Sequence, residues 1–252
     1  MNQSLSGRTA LVTGSGRNLG KGAALALAGA GANIVLNGHR DQAALEAAAE
    51  EIRALGGEAM TVLADVSDPA AVQRMVDQAV ERFGGVDIAI SNVSLRMRQA
   101  FLDISLDDWQ RTLNTNLSSC FYLARAVLPK MKERGFGRII HISGRDGFWT
   151  LPLRAHNVTC KAGMHSLAKA IALEFGEFGI TANTIAPGKM DTIREETHYP
   201  GYQESWEKSR MAMPLRRLGT PADVGQACLY MCTGGDYVTG QLLHLNGGEF
   251  LF

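Results

Sequence analysis

The chain has 252 residues, and its 25 lysines and arginines balance 25 aspartates and glutamates, so its formal charge at pH 7 is zero. That length buries a substantial core in one domain without disulfide or metal, and the balanced charge argues against nucleic acid as a partner and for a small molecule. Cys120, Cys160, Cys228 and Cys232 show neither a C-x-x-C pair nor metal-ligand spacing and read as reduced core residues of a cytoplasmic protein. No apolar run reaches membrane-spanning length, and the first strand-like run begins too close to Met1 to leave room for a cleavable signal.

That first run, TALVT, leads into TGSGRNLGKGAALALAGAGA, a glycine-rich turn that becomes an alanine-rich helix. Backbone N–H groups at a helix N-terminus bind a pyrophosphate, and glycines let it approach. Gly14, Arg17, Asn18, Leu19 and Gly20 are therefore candidate nucleotide contacts, although such a turn taken alone also serves as a plain strand-to-helix connection. Asn18 stands where glycine is more usual; asparagine tolerates left-handed backbone better than most residues. The second run, NIVLN, ends in Gly38, His39 and Arg40. Dinucleotide folds tend to place a carboxylate there for the free ribose hydroxyls. Arg40 together with Arg17 instead favours a 2′-phosphate, hence NADP(H) over NAD(H). Asp41 is the expected cap of the next helix, DQAALEAAAEEIRALGG.

Further along come EAMTVLA, then DPAAVQRMVDQAVERFGG with Asp68 as N-cap and Pro69 at the first helical position, then VDIAIS, GRIIHIS, GITANTIA and QLLHLN. Strand-like runs alternating with amphipathic helices predict an α/β fold: a Rossmann-type, doubly wound parallel sheet of about seven strands in a single domain spanning residues 1–252. The stretch of weak periodicity at about 191–214 is the length of a substrate loop or lid with a short helix.

Taken together, the chain resembles the short-chain dehydrogenase/reductase family over nearly its whole length. The matching pieces are TGSGRNLG; DVSD with Asp65 and Val66 at the adenine contact; SNVS with Asn92, where N-N-A-G is common; and NTNLSSCFYLARAVLPKM with Asn116. Lys161, NTIAPGKMDT with Pro187, Gly188 and Thr192, RRLGTPADVG and YVTGQLLHLNGG complete the series in the family's order. The resemblance implies NAD(P)-dependent hydride transfer to or from a carbonyl or alcohol. It also implies a homotetramer or homodimer built through long helices at 106–131 and 155–178, with the apolar C-terminal residues Phe250, Leu251 and Phe252 as a further edge.

The family's chemistry uses a tyrosine to move a proton, a lysine to lower its pKa and hold the nicotinamide ribose, a serine to polarise the carbonyl, and an asparagine to hold a water. Asn116 and Lys161 match; the tyrosine position falls on Asn157 and the serine position on Gly144. A neutral amide supplies no proton at neutral pH and glycine has no hydroxyl. Ser143 is adjacent, but strand alternation is expected to turn it to the other face. If the acid and the polarising hydroxyl are all that is missing, Asn157→Tyr with Gly144→Ser should restore measurable NADPH oxidation, and either change alone should do less.

Lys161 is the first candidate substitute acid, since lysine lowers its pKa readily on burial. Its alternative role is ribose binding only. His156 should point away from Lys161, His165 should be packed or solvated, and His141 should be an interior or interface residue. Arg96, Arg98, Arg145 and Arg154 near the expected mouth suggest an anionic small-molecule substrate, unless Arg145 pairs with Asp146 and the others are solvated. Three function classes follow: an oxidoreductase with an altered acid, a non-redox lyase or isomerase in the same pocket, and a nucleotide-binding protein without turnover.

Overall fold

Strand β1 (Thr9–Val12) is buried along its whole length, as are β4 (Ile88–Ser91), β5 (Gly137–Ile142) and β6 (Ile180–Pro187). Continuous apolar burial is the mark of strands covered on both faces. In the computed structural model they join β2 (Asn33–Gly38), β3 (Ala59–Leu63) and β7 (Leu242–Leu245) in one sheet of seven strands, ordered β3-β2-β1-β4-β5-β6-β7. Every neighbouring pair is parallel, as the alternation of strands and helices requires. The structure describes residues 5–193 and 202–251, with backbone alone at 202, 203 and 205.

Successive residues of a strand face opposite sides, so β1 feeds two separate cores. Ala10 and Val12 join Ile34, Leu36, Ile88 and Ile90 beneath α1 (Asn18–Gly29), α2 (Gln42–Ala54) and α8 (Pro221–Thr233). Leu11 joins Val35, Ala89 and Ile139 beneath α3 (Pro69–Phe83), α5 (Ser119–Arg134) and α6 (Ala155–Phe175). Both predicted caps form: Asp41 accepts from the Ala44 N–H at 3.0 Å and Asp68 from the Ala70 N–H at 2.9 Å.

The expected helix at 106–131 is not continuous. It divides into α4 (Leu106–Leu113) and α5, joined by a π-helical turn at Asn114–Ser118. Single π turns widen the spiral, and they occur often at functional sites. Here the turn carries Asn116, whose amide donates to the Leu95 carbonyl and whose carbonyl accepts from the Leu95 N–H. This ties the segment after β4 to the helix.

Residues 202–212 form α7, the short helix expected in the loop; residues 194–201 of that loop lie outside the described residues. Phe250 is not a free apolar edge. It stacks on Trp149 at 5.2 Å between ring centroids and meets Phe148 edge-on, because the chain end folds back over the β5–α6 connection. Leu251 is exposed, and Phe252 lies outside the described residues. Among the described residues no helix is long and apolar enough to cross a membrane.

Candidate active site

From β1 the sheet runs to β2 and β3 on one side and to β4 through β7 on the other. At such a reversal the connections leave in opposite directions and open a crevice at the carboxyl ends of the strands. A cleft of about 720 Å³ lies there. Gly14, Arg17, Asn18 and Leu19 line it from the β1–α1 turn, and Asn92 through Arg96 with Arg98 line it after β4. Ser143 and Gly144 contribute from the end of β5, and Pro187, Gly188, Met190, Thr192 and Ile193 from beyond β6.

The β1–α1 turn is built for close approach by an anion. Helix α1 begins without a side-chain cap and without an acidic residue in its first turn, so its leading N–H groups remain available to a ligand. Gly20 packs so tightly that a Cβ there would stand 2.4 Å from the Gly14 carbonyl oxygen and 2.7 Å from the Asn92 amide nitrogen. Asn92 in turn donates to the carbonyls of Thr13 (3.1 Å) and Gly14 (3.0 Å), fixing the turn to the end of β4. Asn18 adopts φ 53°, the left-handed conformation expected of it. Its side chain does more than that: it accepts from the Ile193 N–H at 2.9 Å and donates to the Ile193 carbonyl at 3.2 Å.

At the end of β2, Arg40 is exposed and His39 stands 3.7 Å from Asp65, whose carboxylate accepts from the Ser67 N–H and hydroxyl. Val66 is buried beside it. The uncapped helix end, its lack of acids and the cationic Arg17 suit a nucleotide's phosphates. The end of β2 offers no carboxylate to a ribose.

At the other end of the cleft, Gly144 has φ 151° and ψ 174°. That region of backbone space is essentially reserved to glycine, so a serine at this position is strained even though a Cβ would have room. The spacing-based restoration of a serine therefore meets a backbone obstacle invisible in the sequence. Asn157 is buried on the first turn of α6. Its amide donates to Asp146 at 2.6 Å, and its carbonyl accepts from the Asn116 amide at 3.3 Å. Asp146 also receives Arg154 at 2.9 Å, while its second carboxylate oxygen is buried with no protein partner. Arg145, the alternative partner for Asp146, pairs instead with Glu249 at 2.8 Å, because the C-terminal fold-back brings that carboxylate to it.

Lys161 is buried behind this wall, with one proton on the Ile142 carbonyl at 3.1 Å. Burial, reinforced by the charge of Arg96, pushes its pKa down to about 8. Ser143 lies just past the end of β5 and lines the cleft, and its side chain turns to α6, the face opposite Ile142, as alternation expects. Its hydroxyl is 2.6 Å from His165 Nε2 and accepts from the Gly144 N–H. Burial, with the nearby His244, pulls His165 down to about 4, so it is neutral at physiological pH. His165 is thus packed, as expected, but onto a cleft residue. His141 is an interior histidine with neither ring nitrogen bonded, and burial holds it near 4. His156 is buried in the field of Asp108.

Sequence reasoning missed two groupings, Ser143 with His165 and Asp146 with Asn157 and Arg154. The 22-residue separation of Ser143 and His165 carries no motif. The stretch from Asp146 to Arg154 does hold both charges, yet only the helical position of Asn157 shows which carboxylate it meets.

A family model described as enoyl-(acyl carrier protein) reductase matches residues 14–249. The chain is 33% identical to L-rhamnose 1-dehydrogenase (NAD(P)(+)) of a Sphingomonas species, with 98% of each chain covered. It is 32% identical to a 3-oxoacyl-[acyl-carrier-protein] reductase of a Synechocystis species, over 98% of this chain and 99% of that protein. The crystal structure of a short-chain type dehydrogenase/reductase from Mycobacterium marinum superposes with a TM-score of 0.87 at 33% identity, covering 99% of this chain and 97% of the other. With the parallel sheet, the crevice and the glycine turn already in place, the chain belongs to the short-chain dehydrogenase/reductase family of oxidoreductases.

Proposed function

We propose that the protein transfers hydride between NADP(H) and a carbonyl or alcohol of a small molecule, through a site in which Ser143 and Lys161 replace the serine and tyrosine positions at Gly144 and Asn157. The observation that carries this reading is the 2.6 Å pair of Ser143 and neutral His165 at the cleft wall, one residue from Gly144. When bound, the nicotinamide supplies or accepts the hydride. The remaining work falls to protein side chains. With His165 carrying its proton on Nε2, the Ser143 oxygen accepts from His165 and from the Gly144 N–H, and its own hydrogen, donated to the Gly144 carbonyl at 3.3 Å, would have to leave that long bond to reach a substrate oxygen. Lys161, with a pKa near working pH, is matched to giving or taking the proton that accompanies the hydride. Asn157 and Arg154 hold Asp146 behind it, and Asn116 holds Asn157.

For the nucleotide, Gly14 through Gly20 would receive the phosphates; Arg17 and Arg40 would meet a 2′-phosphate. Asp65, Val66, Asn92, Pro187, Gly188 and Thr192 would hold the remainder as in the family. The working form would be a cytoplasmic homotetramer or homodimer. Calorimetry with both nucleotides should show NADPH binding more tightly than NADH, and Arg40→Asp should reverse the order. NADPH oxidation with a panel of oxo acids and ketones should be slow beside ordinary family members. It should weaken as pH rises through about 8 and Lys161 loses its proton, and it should fall a further ~10²-fold or more in Ser143→Ala. An unchanged rate in Ser143→Ala, with no such pH limb, sinks the assignment.

A second reading has its own observation. The buried, unpartnered oxygen of Asp146 suits a base that removes a proton from substrate carbon in a lyase or isomerase. Turnover without any change in nicotinamide absorbance, lost in Asp146→Asn, would select it.

A further inference from the structure

We infer that the substrate is an acid, and that Arg96, with Arg98 in support, binds its carboxylate at the chemical end of the cleft. The inference rests on the hydride-transfer reading above for the location of the chemistry, and on the charge of the cleft for the ligand.

The residues lining the cleft include three arginines, Arg17, Arg96 and Arg98, and no aspartate or glutamate among the described residues. Arg17 belongs to the nucleotide turn. Arg96 belongs to the opposite end, because Leu95 beside it is bonded to Asn116, which in turn bonds Asn157. Its charge adds to burial in lowering the Lys161 pKa, so an anion bound at Arg96 would relieve an unfavourable like-charge interaction. Of the neighbouring carboxylates, Asp146 already bonds Arg154 and Asn157 and Glu249 bonds Arg145, and neither lines the cleft. The arginines that surround the cleft without lining it are thus paired, whereas Arg96 and Arg98 are exposed and make no ion pair with a described residue. A planar guanidinium matches a carboxylate by two parallel N–H···O bonds.

Asn116 strengthens the case. Its two bonds to the Leu95 backbone anchor the residue immediately before Arg96 to the π turn, so the cation is carried on a fixed segment. A carboxylate placed there also screens Lys161 from Arg96. Binding of the acid should therefore raise the lysine's pKa and favour its protonated form.

The test uses protein loaded with NADPH and titrated with levulinate, an oxo acid, and with its neutral methyl ester, following nicotinamide fluorescence and ligand line broadening by NMR. Levulinate should bind about tenfold or more tightly than the ester, as one charge-assisted contact predicts. That preference should shrink with added salt, disappear in Arg96→Gln, persist in large part in Arg96→Lys and weaken in Arg98→Gln. NADPH affinity should stay the same in Arg96→Gln, which separates this site from the nucleotide turn. Equal binding of acid and ester overturns the inference, as does a preference that survives Arg96→Gln. Stronger competition by inorganic phosphate than by levulinate overturns the choice of carboxylate. If NADPH itself fails to bind, the hydride-transfer reading falls, while the acid-ester comparison on the unloaded protein still decides the role of Arg96.

Discussion

The two ends of the cleft differ in where their polar groups point. At the β1–α1 turn the leading helix N–H groups have no side-chain cap and Arg17 is exposed, while Arg40 at the end of β2 is exposed in the field of Asp65, so these groups are available to a ligand. Around Asn157 the polar groups are turned on one another, Asn116 to Asn157 to Asp146 to Arg154, in one bonded chain. Losing a tyrosine need not leave a hole. Asn157 is taken into a buried network, and under the proposed mechanism Ser143 and Lys161 would be the groups that donate to a substrate.

The contrast breaks most sharply at Gly20. Gly20→Ala drives a methyl against the Gly14 carbonyl and the Asn92 amide, which should cost about 3 kcal/mol of stability and abolish nucleotide binding measured by calorimetry. A variant that folds and binds NADPH normally would show that the turn is far softer than drawn.

A middle-sized effect is expected at Gly144. Gly144→Ser should lose about 1–3 kcal/mol in chemical denaturation, and Gly144→Ala the same, because the cost lies in the φ of 151° and not in the hydroxyl. Asn157→Tyr combined with Gly144→Ser should therefore yield less reductase activity than residue spacing promises. A fully stable serine variant with high ketone reduction would show instead that the backbone relaxes and the site reverts.

The smallest effect sharpens the comparison through pH. His141 and His165 are held near 4 in the folded protein and titrate near 6.5 when unfolded. The unfolded chain thus binds more protons between those values, so the stabilisation is complete above about 6.5 and is lost as pH falls toward 4, by about 1.4 kcal/mol per pH unit for each fully differing proton. Denaturation midpoints measured from pH 7 to pH 4.5 should decline, and His141→Val should flatten the slope. An unchanged slope would mean that His141 is protonated in the folded state.

The strands, the caps at Asp41 and Asp68 and the left-handed Asn18 were legible because each depends on local chemistry: continuous apolar runs, a side-chain acceptor three or two residues ahead of an N–H, an amide side chain that tolerates positive φ. The lining positions at Gly14 and Gly188 were legible for a similar reason, since they follow strand ends. The partner of Ser143 was not legible, because His165 lies 22 residues away on a helix and no motif links the two. The Arg145–Glu249 pair and the contact of Phe250 with Trp149 depend on a fold-back across more than 100 residues that no periodicity encodes. The π turn at Asn114–Ser118 was unreadable for a different reason: it carries Asn116, whose bonds to Leu95 join separate elements that no local pattern links.

Asn18 has a kinetic consequence. The residue that shapes the floor of the nucleotide turn also clasps Ile193, on the far lip of the same cleft, by both its oxygen and its nitrogen. The two lips are therefore joined across the entrance, and a dinucleotide entering or leaving must pass while that clasp is open. Asn18→Gly keeps the turn's backbone freedom but removes the clasp, so association and dissociation should quicken together while the equilibrium affinity changes little. The asparagine thus adds to the turn a link across the cleft that a glycine would not make.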